Sequence, residues 1–369
     1  MIKGRISSLF DPKERFVKKR KMLSALLLIC ILCSSILCTS CASSKEKYVT
    51  HSLDYFDTAT TITGYESTEE EFDRVSGEIL TQLGEYHQLF TIYHRFDGIE
   101  NLCTVNGLQD GVHRTVKVDG RIIELLLYAK EMYWQTNGKI NIAMGSVLSI
   151  WHDSRTAGWN EPWTAELPSM ERLEEAARHT NIDDLIIDEE HSTVFLADPQ
   201  MKLDVGAIAK GYAVEMVAQS LEEQGISGYV INVGGNVRTV GAKPDGEKWL
   251  AGIENPDPES EVAHVAYLQL AGESIVTSGS YQRYYAVEGK NYHHIIDPQT
   301  LMPAEGYLSV SVVCKNSAQG DALSTALFCM SPEEGYALVE SLPDVEALWI
   351  LSDETQRASE GFDQYMQKS

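Results

Sequence analysis

Residues 203–213 read Leu-Asp-Val-Gly-Ala-Ile-Ala-Lys-Gly-Tyr-Ala, and this stretch is the most informative in the chain. Asp204 closes a short strand, and Gly206 lets the backbone turn tightly into a helix that begins near Ala207. The free N–H groups at a helix start attract phosphate, and Lys210 adds a positive charge one turn later. Exposed carbonyl oxygens of the turn can ligate a metal ion. Alone, the pattern is an ordinary strand–turn–helix, and it is neither a P-loop nor a Rossmann fingerprint.

The elements predicted around this stretch mix strands and helices. The helix stops at Gly225, and an apolar strand over 229–233 follows. Thr68 and Glu71 predict a capping box ahead of a helix over 69–90, in which apolar residues recur at helical spacing. Strict βαβ alternation is absent, which favours an α+β fold over a doubly wound sheet. Further strands are predicted at 55–65, 185–197 (a hairpin), 249–253, 264–270, 283–288, 307–314 and 347–351, and further helices from Asp119 to Asn137, at 320–330 and after Pro332.

The second motif, residues 232–238, reads Asn-Val-Gly-Gly-Asn-Val-Arg. Paired glycines after an apolar strand permit positive φ angles or the close approach of a ligand. A plain β-turn explains them equally well.

The third motif runs over residues 277–285 and 292–298 and is rich in Tyr and His. Aromatic side chains near its Gly-Ser turn can pack on a flat ring, although a stripe of tyrosines is more often the surface of a sheet. His294 or Asp297 is a candidate for moving a proton, because imidazole and carboxylate groups are the usual acid–base catalysts.

The fourth motif, residues 320–325, reads Gly-Asp-Ala-Leu-Ser-Thr. On a helix, Asp321 and Thr325 are one turn apart and lie on one face. A carboxylate and a hydroxyl there offer two hard oxygen atoms to Mg²⁺. The alternative is a helix-capping Asp with a solvated Thr.

The N-terminal residues predict export. Four basic residues, 18–21, precede an apolar run that ends at Cys38 and is about 16 residues long, shorter than the roughly 20 of a spanning helix. Thr39, Ser40 and Cys41 then resemble a lipoprotein processing site, although Cys38 stands where Leu is usual. We expect residues 1–40 to be a signal peptide and Cys41 to receive a lipid on the outer face of the membrane. An uncleaved N-terminal anchor is the alternative.

Charge and cysteine content exclude several classes of protein. Residues 1–40 hold eight of the 30 Lys and Arg residues and two of the 54 Asp and Glu residues, so the remainder has a net charge of −30. Such a body repels nucleic acid and anionic lipid. Its three cysteines, Cys103, Cys314 and Cys329, form neither a disulfide framework nor a zinc pattern, and we expect them in the core.

These motifs, in kind and in order, resemble the ApbE family of FAD:protein FMN transferases over residues 52–352. The resemblance implies an α+β fold of the ApbE type, with T-fold-like mixed sheets and packed helices. The predicted division is a signal peptide at 1–40, a tether at 41–54, a flavin transferase domain at 55–355 and a C-terminal tail at 356–369.

The resemblance also implies roles for single residues. His294 matches a family histidine proposed to take part in catalysis. Phe56 and Asp57 occupy positions near the flavin where the family has Met and Gly. Lys139-Ile140-Asn141 stands where relatives often have Ala-Phe-Asp. The implied FAD contacts are Phe56, Tyr93, Lys139, Ile140, Asn141, Asp204, Lys210 and Ile296, and the implied Mg²⁺ ligands are Ala207, Asp321 and Thr325.

The activity implied is Mg²⁺-dependent transfer of FMN from FAD to a Thr hydroxyl of an acceptor protein, with release of AMP. The acceptors implied are FMN-binding domains of membrane redox complexes of the sodium-pumping NADH:quinone and Rnf types. One alternative is the same site using water, as an FAD pyrophosphatase. Another is a lipoprotein that binds flavin without chemistry, which would require no metal.

Overall fold

The structure is a computed structural model that describes residues 45–107 and 115–368. The predicted signal peptide and Cys41 lie outside the described residues. From Glu46 onward the described residues form one compact unit. The strands are β1 (Glu46–Ser52), β2 (Thr60–Glu66), β3 (Val116–Lys117), β4 (Leu185–Asp188), β5 (Thr193–Leu196), β6 (Tyr229–Val233), β7 (Asn236–Val240), β8 (Trp249–Glu254), β9 (His264–Leu270), β10 (Ser274–Gly279), β11 (Tyr284–Val287), β12 (Lys290–His293), β13 (Tyr307–Cys314), β14 (Glu346–Leu351) and β15 (Gln356–Ala358).

A large antiparallel sheet forms the centre of the fold. Its strand order is β1-β2-β6-β7-β10-β13-β14-β15. Smaller antiparallel sheets are formed by β3-β5-β4, by β8-β9 and by β11-β12. The helices are α1 (Glu69–Phe90), α2 (Leu102–Val105), α3 (Gly120–Gln135), α4 (Gly145–Asn160), α5 (Met170–Ala177), α6 (Ala209–Glu223), α7 (Ser317–Phe328) and α8 (Pro332–Ser341).

Helices α1, α6 and α7 cover one face of the large sheet. Alternate residues of β10 and β13 point to opposite faces, as the pleat of a strand requires. Ile275 and Val313 join a second core cluster with β8, β9 and Phe362. Val310 and Val312 join the larger cluster under the helices. The site described below lies on the helix-covered side, where α6 and α7 meet.

Helices α6 and α7 approach each other closely at Gly211. A Cβ atom at this position would lie 2.4 Å from the Cβ of Asp321 and 2.4 Å from the carbonyl oxygen of Ser317. Only glycine allows this approach, and it brings the backbone of α6 to the side chain of Asp321 on α7.

A buried ion pair fixes the same helices to the sheet. Arg238 on β7 contacts Glu215 on α6 with 3.2 Å between Nε and Oε2, and both side chains are about 95% buried. Glu215 Oε2 also accepts a hydrogen bond of 2.7 Å from the Ser317 N–H, at the start of α7. The Arg at the end of the second motif is therefore a structural residue.

Several predicted elements have the expected bounds. Helix α1 covers 69–90, with Thr68 accepting a hydrogen bond from the Glu71 N–H. Strand β6 coincides with 229–233, and β9 and β13 coincide with 264–270 and 307–314.

Other boundaries differ from the prediction. Strand β1 lies within the segment predicted as a tether, because it pairs with β2 along its whole length. Strand β15 pairs with β14 inside the predicted tail, and Phe362 beyond it is buried. Strand β2 begins only at Thr60, since Phe56 and Asp57 have left-handed φ angles of 55° and 51°. The folded body therefore extends beyond 55–355 at both ends.

The three cysteines of the body, Cys103, Cys314 and Cys329, are buried free thiols, which confirms that they are core residues. Within the described ranges, the helices are too short or too polar to cross a lipid bilayer.

Candidate functional site

A cavity of about 440 Å³, here called cavity A, lies where the predicted motifs meet. Its walls come from the turn before α6, the β6–β7 hairpin, the end of β10, the segment after β12, and α7. The residues that line it from these motifs are Asp204, Gly206, Ala207, Lys210, Gly234, Asn236, Thr277, Ser278, Gly279, Gln282, Arg283, His294, Ile295, Ile296, Pro298, Asp321 and Thr325. Motifs separated by up to 120 residues in the chain thus form one site.

A second cavity of about 580 Å³, called cavity B, adjoins the first. Phe56, His87 and Trp159 line cavity B alone. The residues that line both cavities, here called the junction, are Asp57, Tyr93, His152, Arg155, Asp204, Gly206, Lys210 and Arg283. The predicted FAD contacts divide between the two: Lys139, Ile140, Asn141 and Ile296 lie on cavity A, Phe56 on cavity B, and Tyr93, Asp204 and Lys210 at the junction.

Asp321 is buried and already bonded. Lys210 Nζ lies 3.0 Å from its Oδ1, and the Gly211 N–H donates a hydrogen bond of 2.8 Å to its Oδ2. One helical turn on, Thr325 Oγ1 lies 3.2 Å from Ser278 Oγ, which also contacts Ser324 at 2.9 Å. Lys210, which is predicted to contact FAD, therefore forms an ion pair with Asp321, the carboxylate that is predicted to bind the metal.

The donor set fits a hard divalent cation. Asp321, Thr325 and Ala207 all line cavity A and offer a carboxylate, a hydroxyl and a backbone carbonyl, the oxygen ligands that Mg²⁺ prefers. In the part of the chain that the structure describes, no group of three or more His, Cys, Asp and Glu residues could hold a metal. A single carboxylate leaves most coordination positions to water or to the oxygens of a bound phosphate.

Asp204 holds the turn that precedes α6. Its Oδ1 accepts a hydrogen bond of 2.8 Å from the Gly206 N–H, while its own N–H bonds to the carbonyl of Ile142 at 2.8 Å. Burial raises the pKa of Asp204, and the Gly206 N–H and the nearby His152 and Arg155 oppose this rise. Gly206 does not have a positive φ angle; a Cβ atom there would lie 3.0 Å from Asp204 Oδ1, so this close contact, rather than a special backbone conformation, favours glycine.

The paired glycines form the two-residue turn between β6 and β7, with φ angles of 56° at Gly234 and 85° at Gly235. A Cβ atom at Gly234 would lie 2.4 Å from Thr58 Oγ1. Gly234 therefore belongs to a β-turn and allows the close approach of Thr58, while the approach of a ligand to these glycines stays a prediction.

The two neighbouring histidines differ in their bonding. His293 contacts the carbonyl of Ala304 at 2.8 Å through Nε2, and its Nδ1 lies 3.2 Å from the Ile295 N–H. His294 lines cavity A, and its buried Nδ1 has no hydrogen-bond partner among the described residues. Burial, aided by the charges of Arg283 and Arg155, lowers the pKa of His294 to about 3. The imidazole is therefore neutral at physiological pH and has a nitrogen lone pair available.

Asp297, the other candidate for proton transfer, has a structural role. Its Oδ1 lies 3.0 Å from Lys139 Nζ and accepts a hydrogen bond of 3.0 Å from the Gln299 N–H. It lines a separate open groove rather than cavity A. Of the two candidates for proton transfer, only His294 lines cavity A.

The positions that depart from the family line the cavities and also make contacts within the protein. Asn141 uses both side-chain groups on backbone, donating to the Thr180 carbonyl and accepting from the Ala143 N–H, each at 2.9 Å. Ile140 is 98% buried, and Lys139 pairs with Asp297. Asp57 adopts a left-handed conformation, a region that Gly enters without strain.

The sequence motifs gave Lys210 but assigned no role to His152, Arg155 or Arg283. Helix α4 was not predicted, although Val147, Leu148 and Trp151 recur on it at helical spacing. It places His152 and Arg155 at the junction, and Arg283 faces them from the segment before β11.

Comparison with known proteins agrees with this geometry. The sequence model of the ApbE family matches residues 56–349. The chain belongs to the ApbE family. The FAD:protein FMN transferase of Klebsiella pneumoniae (strain 342) is 32% identical over 272 residues, covering 71% of this chain and 81% of that protein. The protein of the same name from Haemophilus influenzae is 26% identical over 330 residues, covering 87% and 90%.

Solved ApbE structures share the fold. The ApbE protein of Thermotoga maritima superposes with a TM-score of 0.74 at 27% identity, covering 88% of this chain and all of that one. The flavin transferase ApbE of Vibrio cholerae gives a TM-score of 0.71 at 25% identity, covering 87% and 99%. These relatives confirm the predicted family, the α+β fold and the transferase class of the enzyme.

Proposed function

We propose that this ApbE-family chain transfers FMN from FAD to a Thr hydroxyl of an acceptor protein, with Mg²⁺ bound and AMP released. The observation that supports this most is cavity A, where a neutral histidine with a free nitrogen lies in the same space as the Asp321 carboxylate and the Thr325 hydroxyl. A flavin carrier would need neither group.

The reaction exchanges the phosphoanhydride bond of FAD for a phosphoester bond to the acceptor. The acceptor hydroxyl oxygen forms a bond to the FMN phosphorus of FAD, and the bond from that phosphorus to the bridging oxygen breaks, so AMP leaves. His294 accepts the hydroxyl proton, since its Nδ1 is free and its imidazole is neutral. A base with a pKa of about 3 is weak; burial is the main cause, and bound diphosphate would offset the Arg283 and Arg155 charges that lower the pKa further.

Asp321, Thr325 and the carbonyl of Ala207 would hold Mg²⁺, which when bound supplies positive charge to the diphosphate. Lys210 forms an ion pair with Asp321. With a metal ion bound to Asp321, Lys210 would be free to contact the diphosphate instead. The residues on cavities A and B orient the two ends of FAD and exclude water from the phosphorus atom.

We further propose export and lipidation at Cys41, which rests on the basic cluster, the apolar run and the small residues before that cysteine. On the outer face of the membrane the enzyme would meet FMN-binding domains of redox complexes of the sodium-pumping NADH:quinone and Rnf types. A Cys41→Ser variant should leave the membrane fraction, whereas a mature N-terminus well downstream of Cys41 without lipid would contradict this proposal.

Product analysis tests the activity. The purified protein is incubated with FAD and Mg²⁺, with and without an FMN-binding domain, and AMP and free FMN are separated by chromatography. We expect AMP in excess over free FMN only when the domain is present. Equal amounts of AMP and FMN in both samples would indicate an FAD pyrophosphatase, and no AMP in either would indicate a flavin binder.

A further inference from the structure

The junction between cavities A and B holds three basic side chains beside the carboxylates of Asp57 and Asp204. The sequence has a net charge of −24, yet Lys210, Arg155 and Arg283 all line this junction. Only Lys210 among these three pairs with a carboxylate within the described ranges. Two guanidinium groups therefore remain without an acidic partner there.

Arg155 has hydrogen-bonding capacity that the protein does not use. Its Nε is buried and has no hydrogen-bond partner among the described residues. A terminal nitrogen lies 3.4 Å from His152 Nδ1, and the guanidinium lies 5.5 Å from the centre of the Trp159 ring. An unpaired buried N–H of a charged group is costly unless a ligand satisfies it.

Helix α4 holds Arg155 in a fixed place. The Gly145 N–H bonds to the Lys202 carbonyl at 3.0 Å, and the Trp151 indole N–H bonds to the Leu301 carbonyl at 2.9 Å. At the other end, a Cβ atom on Gly158 would lie 2.6 Å from the Tyr285 ring, so the helix packs closely on β11. The charge is therefore positioned before any ligand binds.

Arg283 reaches the junction from the opposite wall. One terminal nitrogen donates a hydrogen bond of 3.2 Å to the carbonyl of Asp57, in the left-handed segment before β2. This single bond to a neutral group leaves most of its donors free for an anion.

We propose that Arg155 and Arg283 bind the diphosphate of FAD at the junction, with one heterocycle in cavity A and the other in cavity B. This inference rests on the proposed function. Two cavities joined at a cationic junction match a ligand in which two heterocycles are joined by two phosphates, and planar guanidinium groups bind phosphate oxygens in pairs. Arg155 is then the residue that distinguishes the dinucleotide from uncharged riboflavin.

Ligand affinities of the full-length protein in detergent test this assignment. FAD, FMN and riboflavin are titrated by flavin fluorescence in EDTA, so that metal does not contribute. Arg155→Gln should weaken FAD binding by about 10- to 100-fold, the range of a charge-assisted hydrogen bond, and leave riboflavin binding unchanged. Arg155→Lys should give an intermediate loss of FAD affinity, because lysine keeps the positive charge but lacks the planar guanidinium group. Arg178→Gln is the matched control, since its side chain is 73% exposed on the surface.

Inorganic pyrophosphate provides a test that needs no variant. With the wild-type protein it should compete with FAD and leave riboflavin binding unaffected. Absence of competition, or an Arg155→Gln protein that loses FAD and riboflavin equally, would overturn the assignment. If the wild-type protein did not bind FAD at all, both this inference and the proposed function would be refuted. Normal FAD binding by both Arg155→Gln and Arg283→Gln would refute this inference alone.

Discussion

Lys210 Nζ lies 3.0 Å from Oδ1 of Asp321, although 111 residues separate them in the chain. The pair joins the first motif to the fourth across the α6–α7 contact. It also means that the carboxylate proposed to bind Mg²⁺ has a competing cation beside it. Each ligand should therefore strengthen the binding of the other, because the FAD diphosphate can bind the lysine that Mg²⁺ displaces from Asp321.

The first prediction concerns this competition. Lys210→Met should strengthen Mg²⁺ binding in the absence of FAD, by up to about tenfold, because one charge-assisted contact to Asp321 is removed. The same variant should bind FAD more weakly. Calorimetric titration with MgCl₂ and with FAD measures both effects, and Lys315→Met, whose side chain is 72% exposed, is the control. Unchanged Mg²⁺ affinity would mean that Lys210 does not compete for the carboxylate.

The second prediction concerns the close helix contact. Gly211→Ala should destabilise the protein by about 1–3 kcal/mol, because the added methyl group meets Asp321 and the Ser317 backbone. Gly77→Ala in helix α1 has open space around the new Cβ atom and should stabilise by about 0.5–1 kcal/mol. Urea unfolding of both variants measures the difference, and two shifts of the same sign would contradict the packing described here.

The third prediction concerns the buried ion pair. Glu215→Ala removes the acceptor of Arg238 Nε and of the Ser317 N–H, while Arg238 keeps its ion pair with Glu222 at 2.9 Å. We expect a loss of about 1–3 kcal/mol of unfolding free energy for each buried donor left without an acceptor. Glu175→Ala breaks an exposed pair with Arg178 and should change stability by less than about 1 kcal/mol. Thermal and urea unfolding of the two variants should therefore differ clearly, and similar losses would argue against the network.

The fourth prediction concerns pH. The folded state keeps His294 neutral down to a pKa of about 3, whereas the unfolded chain protonates it near its ordinary value of 6.5. The unfolded state therefore binds more protons, and this residue's share of the stability is lost as pH falls from about 6.5 to about 3. His294→Gln should lose less stability than wild type between pH 7.5 and pH 4.5, by on the order of 2–3 kcal/mol. Parallel stability curves for the two proteins would show that His294 is not held neutral.

Much of the fold could be predicted from the sequence because local signals were strong. Apolar residues at helical spacing and the Thr68 cap gave α1, and a high content of apolar, β-branched residues gave β6 and β13. Strand β1 was missed because its exposed and half-buried residues have no strong apolar alternation, and pairing with β2 defines it. A strand on the edge of a sheet depends on its partner more than on its own sequence.

The candidate site was predicted where its residues lie in short motifs and missed where they depend on tertiary contacts. Asp321 and Thr325 follow from helical spacing. No local sequence signal shows that Lys210 pairs with Asp321 or that Asp297 pairs with Lys139, because the partners are more than 100 positions apart in the chain. The unpaired Nε of Arg155 depends on burial, which the local sequence does not show either.

The central claim is that the protein attaches FMN covalently to an acceptor through a site that needs Asp321. The most direct test is the intact mass of a purified FMN-binding domain after incubation with FAD and the enzyme, in Mg²⁺ and in EDTA. We predict a mass increase of one FMN less water in Mg²⁺ and none in EDTA, none with Asp321→Ala, and none when the acceptor threonine is replaced by Val. An unmodified domain in Mg²⁺ while FAD is consumed, or full modification by Asp321→Ala, would contradict the account.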